Sequence, residues 1–400
     1  MNEGNLAKLL LGMLILVAAT LGFRAVAQER QDPVEKLHKA ALVWDCHNDL
    51  VYRVLYEKLD IGKRLPAGHV DIPRLKQGGV DVQVVALFVQ NLLYPDHCAQ
   101  QTFQLIEAMK KAISDHADSV GLARTGLDIE RIVQAGKIAM PLAIEGGHAI
   151  ENDLNLLREY HALGVSSMTL THGISHDWAD SSTDKPKWHG LTKFGKEVVK
   201  EMNRLHMVID VSHVSDKTFY DVLETTKQPV IASHSCCRGI NPHPRNMTDD
   251  MIKALAKNGG VIGINFVLYH LSEEYNKARN ELIAIGKPLY NRLPEADDLD
   301  LRIAVAHLEA GRYWPLENLP TIEDVLDHID HAVKVGGVDH VGLGADMYPR
   351  MLSPVGIRGA QDYPAITRGL KKRGYSDEAV RKIMGGNMMR VWSLVTNEGI

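Results

Sequence analysis

His47 and Asp49 stand two positions apart where the apolar run "ALVWDCH" (41–47) ends, and five more residues of the kinds that bind metals or carry protons end similar runs: Glu145, His172, His213, His234 and Asp346. Alternate side chains of a strand share a face, so positions 47 and 49 are expected to aim at one point. A single histidine at a strand end is usually an ordinary hydrogen-bonding residue, and this chain has 19 histidines. The set is what points to chemistry. Asp49 and Glu145, buried among several imidazoles, would be costly without compensating cations. Two divalent ions would supply about +4, and two carboxylates with a bridging hydroxide would reduce this to about +1, bearable in a partly wet pocket. Nitrogen and oxygen ligands without sulfur suit zinc first, with manganese, cobalt or iron as alternatives. No CxxC pair exists to make a thiolate zinc site.

Something must bring these distant positions together. Eight β-branched apolar runs are expected as strands: 41–47, 80–88, 138–145, 166–172, 207–213, 229–234, 260–266 and 340–346. Amphipathic stretches alternate with them, such as 101–113, 191–205 and 321–337. In the last, Thr321 reads as N-cap, Ile322, Val325, Leu326, Ile329 and Val333 fall at helical spacing, and Gly336 reads as the stop. Strand then helix, repeated eight times, is the pattern of an α/β protein of the (β/α)8 TIM barrel type, with a doubly wound open sheet as the alternative. No GxGxxG follows the first strand, which counts against a dinucleotide site. Barrel loops after strands lie over the active face, so the long stretches 173–190 and 271–320 are candidate lids, substrate walls or dimer contacts, with plain surface decoration as the alternative.

The chain has 400 residues, 45% hydrophobic and 24% charged, enough for a large core. Residues 1–27 differ from the rest. Lys8 precedes the apolar run 9–23, and Ala25-x-Ala27 reads as a signal-peptidase site before Gln28, so an exported, periplasmic or secreted product is expected. An uncleaved anchor is the alternative, although the run is short for a span of about 20 residues. After removal of 1–27, residues 28–400 are expected to form one domain with no stable membrane span. The formal charge is −5, and no basic cluster breaks the acidic balance, which argues against nucleic acid as a partner. Cys46, Cys98, Cys236 and Cys237 are too sparse for a disulfide framework and read as free buried thiols.

The motifs around these residues resemble those of the membrane (renal) dipeptidases, zinc-dependent dipeptidases of the amidohydrolase type. "DCHNDL" (45–50) is similar to the family's first metal motif, "IEGGHAI" (144–150) to its bridging-glutamate motif, and "DVSHVS" (210–215) and "SHSCCRGINPHPRNMTDD" (233–250) to its two histidine motifs. "VGLGAD" (341–346) and "GGNMMRVW" (385–392) resemble its closing segments, so the likeness runs from about Leu37 to Trp392 in the family's order. The resemblance implies that His47 and Asp49 bind one zinc ion, His213 and His234 a second, and Glu145 bridges the two. It further implies that a metal-bridging hydroxide attacks the peptide bond of a dipeptide, that His172 polarises the scissile carbonyl, that Arg245 receives the free carboxylate, and that Asp346 moves a proton. A tyrosine assisting the arginine falls at Tyr269, with His270 beside it. The same resemblance implies a homodimer. A related amidohydrolase acting on N-acyl amino acids or β-lactams would keep these ligands and change the pocket walls, and a catalytically silent metal-binding barrel would keep them without turnover. His148, His176, His189 and His243 lie near the motifs and take no role in this reading.

Overall fold

Ten short strands among the described residues, all paired in parallel, wrap around one axis. The computed structural model describes residues 32–89, 97–290, 318–347 and 352–397, with the side chains of 282–290 left aside. Contacts divide it into Met1–Leu37, of which the start of the helix Pro33–Ala40 is described, and His38–Ile400, which carries the strands. The expected leader at 1–27 and most of the long stretch 271–320 lie outside the described residues. No helix among the described residues is long and apolar enough to cross a membrane.

The strands are β1 (Trp44–Asp45), β2 (Val82–Gln83), β3 (Val85–Phe88), β4 (Val120–Ala123), β5 (Ile138–Glu145), β6 (Val165–Thr169), β7 (Val208–Asp210), β8 (Ile231–Ser235), β9 (Val261–Ile264) and β10 (Val341–Leu343). Their order is β1-β2-β5-β6-β7-β8-β9-β10, and β10 returns to the start: Cys46 N–H donates to the Leu343 carbonyl at 3.0 Å and Asp346 N–H to that of His47 at 3.1 Å. This is the eight-fold barrel, with every expected strand in place; β5 fills its run 138–145 and the others are shorter than theirs. The run 80–88 breaks at Val84: β2 pairs with Ala139, and β3 with the second half of β5 from Leu142 to Glu145. An extra strand, β4, lies along Ile138–Pro141. It was not expected, because four residues with a central glycine carry too little alternation to register as a strand.

The floor of the barrel is apolar and its mouth polar. Met388, Val391, Trp392 and Val395 of the last helix, Asn387–Thr396, pack against Trp44, Val82, Ala139, Val208, Ile231 and Val261, and the Trp44 and Trp392 rings lie 5.4 Å apart. The segment "GGNMMRVW" thus plugs the barrel, and Asn387 Nδ2 holds the start of β10 through the carbonyls of Val338 (2.7 Å) and Val341 (2.8 Å). Small residues let strands close up. A Cβ on Gly263 of β9, or on Gly344 just after β10, would run into the Ser233 carbonyl oxygen, so glycine there lets these segments lie close against β8.

The helix expected at 321–337 spans Ile322–Gly336, with Thr321 capping it and Asp324 completing a capping box. Val325, Leu326 and Ile329 are buried as expected, but Ile322 and Val333 are half-buried, and His328 and Ala332 take the inner positions instead. The inner stripe is therefore rotated toward His328, whose Nδ1 accepts from Cys237 N–H at 3.0 Å. All four cysteines are free and buried.

Candidate metal centre

Each member of the predicted set stands at or just past the carboxyl end of a strand. Glu145 is the last residue of β5 and His234 lies within β8, while His172, His213 and Asp346 each follow the last residue of β6, β7 and β10 by three positions. His47 follows β1 by two. Asp49 is not on a strand, because β1 ends at Asp45 and the chain turns so that Asp49 caps the helix Leu50–Leu55. Asp49 and His47 therefore converge through that turn and not through strand alternation. His213 (φ 68°) and Asp346 (φ 55°) adopt left-handed backbone conformations, a strain of the kind that collects at functional sites.

The side chains meet around Glu145. One of its oxygens, Oε2, lies 3.5 Å from His47 Nε2. The other, Oε1, lies 3.2 Å from His213 Nε2, 3.4 Å from His234 Nε2 and 4.0 Å from His172 Nε2. His213 and His234 face one another through Nε2 atoms 2.8 Å apart. Three overlapping groups bring ligand atoms within 4.8 Å of one another: His47, Glu145 and His234; Glu145, His172 and His213; His47, Asp49 and Asp346. His47, Asp49, Glu145 and His234 are buried, whereas His172 keeps 37% of its side chain exposed toward the mouth.

The donor set fits divalent cations. His47 Nε2 and His213 Nδ1 are buried without a hydrogen-bond partner. Burial and the neighbouring Glu145 push the Asp49 carboxyl well above its usual range. Burial works against the charged form of His47, but the Glu145 carboxylate outweighs it and lifts the imidazole to about 10. Burial likewise opposes the charge of Glu145, which the neighbouring His47 imidazole nevertheless holds well below the carboxylate range. Protons on Asp49 and His47 thus stand where a cation would displace them. His172 is pushed down to about 4, by burial first and by Arg245 among its neighbours, so near neutral pH it is an uncharged imidazole.

A layer of polar groups that the sequence reading did not single out fixes the ligands from behind. Asp45 Oδ1 accepts from the backbone N–H of Ala345 (2.8 Å) and His47 (3.3 Å), tying β1 to the end of β10. Asp210 accepts from the hydroxyls of Thr169 and Ser233, and Ser233 Oγ lies 2.7 Å from His234 Nδ1. Asn265 Nδ2 donates to Asp346 Oδ2 at 3.2 Å and also lies 3.0 Å from His270 Nδ1. The only sequence signal for Asp45, Asp210 and Ser233 is that they occupy the same short motifs as the histidines.

Arg245 lies in the loop after β8, buried, with Nη2 donating to the His234 carbonyl at 3.0 Å and Nε without a partner. Asn241 and Asn246 stitch this loop to the Tyr269 and His270 carbonyls over 2.8–3.0 Å. Tyr269 lies beside the loop, its ring 5.8 Å from that of His243 and under the guanidinium of Arg279. Of the histidines given no role, His148 and His176 spend Nε2 on the carbonyls of Val89 and Leu170, at 2.9 and 2.8 Å.

The family model described as Membrane dipeptidase (Peptidase family M19) matches residues 31–398. An uncharacterized dipeptidase of Schizosaccharomyces pombe is 31% identical over 394 residues, covering 93% of this chain and 85% of that protein. The dipeptidase verJ of Clonostachys rogersoniana is 32% identical over 371 residues, covering 88% and 83%. Among solved structures, the probable dipeptidase PvdM from Pseudomonas aeruginosa superposes with a TM-score of 0.79 at 26% identity, covering 91% of this chain and 98% of that one. With a family model spanning nearly all of the sequence and relatives above 30% identity matched over most of both chains, this protein belongs to the membrane dipeptidase family, peptidase family M19.

Proposed function

We propose that this protein is a binuclear zinc dipeptidase. His47 and Asp49 would hold one ion and His213 and His234 the other, with Glu145 placed to serve both. The observation that carries the reading is the division of Glu145: Oε2 faces His47, while Oε1 faces His213 and His234. Bound there, the two cations would supply a water acidic enough to ionise near neutral pH and an electrophilic contact for the scissile carbonyl. The remaining work falls to the protein. His172, uncharged and open to the mouth, donates through its ring N–H to the oxygen that gains charge as the carbonyl is attacked. Arg245 grips the terminal carboxylate of the substrate with paired hydrogen bonds, satisfying a guanidinium that the protein leaves with a bare Nε. Tyr269 lines the same corner. Asp346, held by Asn265 and 4.0 Å from His47, receives the proton of the attacking water and passes it to the leaving amine.

The test is a panel of dipeptides, their N-acetylated equivalents and β-lactams, offered to purified protein of known metal content. The expected result is hydrolysis of free dipeptides by protein carrying about two zinc ions per chain, loss of activity and a lower melting temperature after chelation, and recovery with Zn²⁺. Cleavage of blocked substrates alone would replace the dipeptidase reading with that of a related amidohydrolase. Metal-loaded protein without turnover would indicate a silent barrel.

His172→Ala separates two readings of that imidazole, which stands within ligand distance of Glu145 and His213. As an oxyanion donor its loss is expected to lower kcat by about 10²-fold with little change in KM. Zinc content is expected to stay unchanged, whereas a drop in bound metal would make His172 a ligand. Export rests on residues 9–27, and N-terminal sequencing of the mature protein is expected to begin at Gln28. A homodimer is proposed from the family resemblance and is checked by sedimentation.

A further inference from the structure

His213 and His234 meet through their Nε2 atoms, yet the far sides of the two rings are treated differently. His213 Nδ1 is buried with no hydrogen-bond partner. His234 Nδ1 lies 2.7 Å from Ser233 Oγ. Counting protons decides which way that bond runs. Asp210 receives four donors: the Thr169 hydroxyl and the Ser233 hydroxyl on Oδ2, each at 2.5 Å, and the backbone N–H groups of Ser212 and Ser233 on Oδ1, each at 2.9 Å. Ser233 has one hydroxyl proton, and it is spent on Asp210. Its oxygen can therefore only accept from His234, so Nδ1 carries the ring proton and Nε2 presents a lone pair to the site. Asp210, Ser233 and His234 are 2%, 3% and 0% exposed, so water cannot stand in for any link.

We infer that Asp210 and Ser233 are positioning residues that lock His234 in the one tautomer able to ligate, and that His234 is consequently the anchoring ligand of its ion while His213 is the adjustable one. The inference rests on the binuclear reading above and extends it to residues three strands deep, from Thr169 at the end of β6 through Asp210 on β7 to Ser233 on β8. Partners behind a ligating histidine commonly set affinity by 10–100-fold.

The experiment uses the full-length protein and Zn²⁺ competition against a chromophoric chelator, with the visible spectrum of Co²⁺-loaded protein as a second readout. Ser233→Ala removes the acceptor and is expected to weaken one of the two ions by about 10-fold, with the other within about 3-fold of the parent. Ser233→Thr keeps the hydroxyl and is expected to restore binding. Asp210→Asn is expected to be worse, about 100-fold for the same ion. Backbone N–H groups occupy Oδ1, so the amide NH₂ must take the Oδ2 side; there it drives the Ser233 proton toward His234 Nδ1 and forces the ring proton onto Nε2. The altered Co²⁺ spectrum should be confined to that ion, and metal-free Ser233→Ala and Ser233→Thr should melt alike. Parent-like binding in both Ser233→Ala and Asp210→Asn, equal weakening of both ions, or a Ser233→Thr protein no better than Ser233→Ala would each overturn the relay. Should Asp210→Asn fail to fold, the two Ser233 variants decide alone. A parent that binds fewer than two ions would instead sink the binuclear reading itself.

Discussion

Glu145→Gln is expected to lower kcat/KM for dipeptides on the order of 10³-fold, about 4 kcal/mol of transition-state stabilisation, and to reduce bound zinc from about two ions to about one. The substitution keeps the size and shape of the side chain. What it cannot keep is two acceptor oxygens. Oε2 and Oε1 face different nitrogens, so the amide must turn its NH₂ either toward His47 or toward the His213 and His234 pair, and an NH₂ group does not ligate. It also removes the charge that holds the His47 imidazole up near 10 against the effect of burial. Metal analysis beside steady-state kinetics checks the prediction, and a variant that keeps both ions and full activity would refute the spanning role of Glu145.

The second large effect is expected at Arg245. Arg245→Met preserves most of the buried volume without leaving an unpaired charge, and it is expected to cost about 3 kcal/mol, or ~10²-fold in kcat/KM, for dipeptides with a free carboxylate. Most of the loss should appear in KM. Dipeptide amides, which offer no carboxylate, should be hydrolysed slowly and equally by parent and variant. Arg245→Lys should recover little, because a point-like ammonium cannot make two parallel hydrogen bonds. Equal losses on free and amidated substrates would mean that Arg245 braces the loop after β8 through its bond to the His234 carbonyl and does not read the substrate.

These two residues also mark how far a sequence can be read. Glu145, His47, His213 and His234 were legible because each ends an apolar run, and strand ends in a parallel barrel converge on one mouth. Period and chain order were enough for that. Asp49 does lie beside His47 as expected, but by another route: the strand stops at Asp45, and a turn into a helix, not the pleat, brings the carboxylate round. The strand β4 was invisible, since its four residues gain their order from pairing with β5 and not from their own pattern.

What the residues fixed by themselves was the fold class and the chemical inventory, because hydrophobic period and side-chain type are local properties of the chain. What only the folded molecule decided was direction: which oxygen of Glu145 faces which imidazole, which ring nitrogen of His234 carries the proton, and which nitrogen of Arg245 is left bare. Those choices depend on hydrogen-bond partners such as Asp210 and Ser233, which lie 23 residues apart, and Asp45 and Ala345, which lie 300 apart. Hydrogen bonds are satisfied in space, at distances of about 3 Å, so their bookkeeping has no period along the sequence from which it could be read.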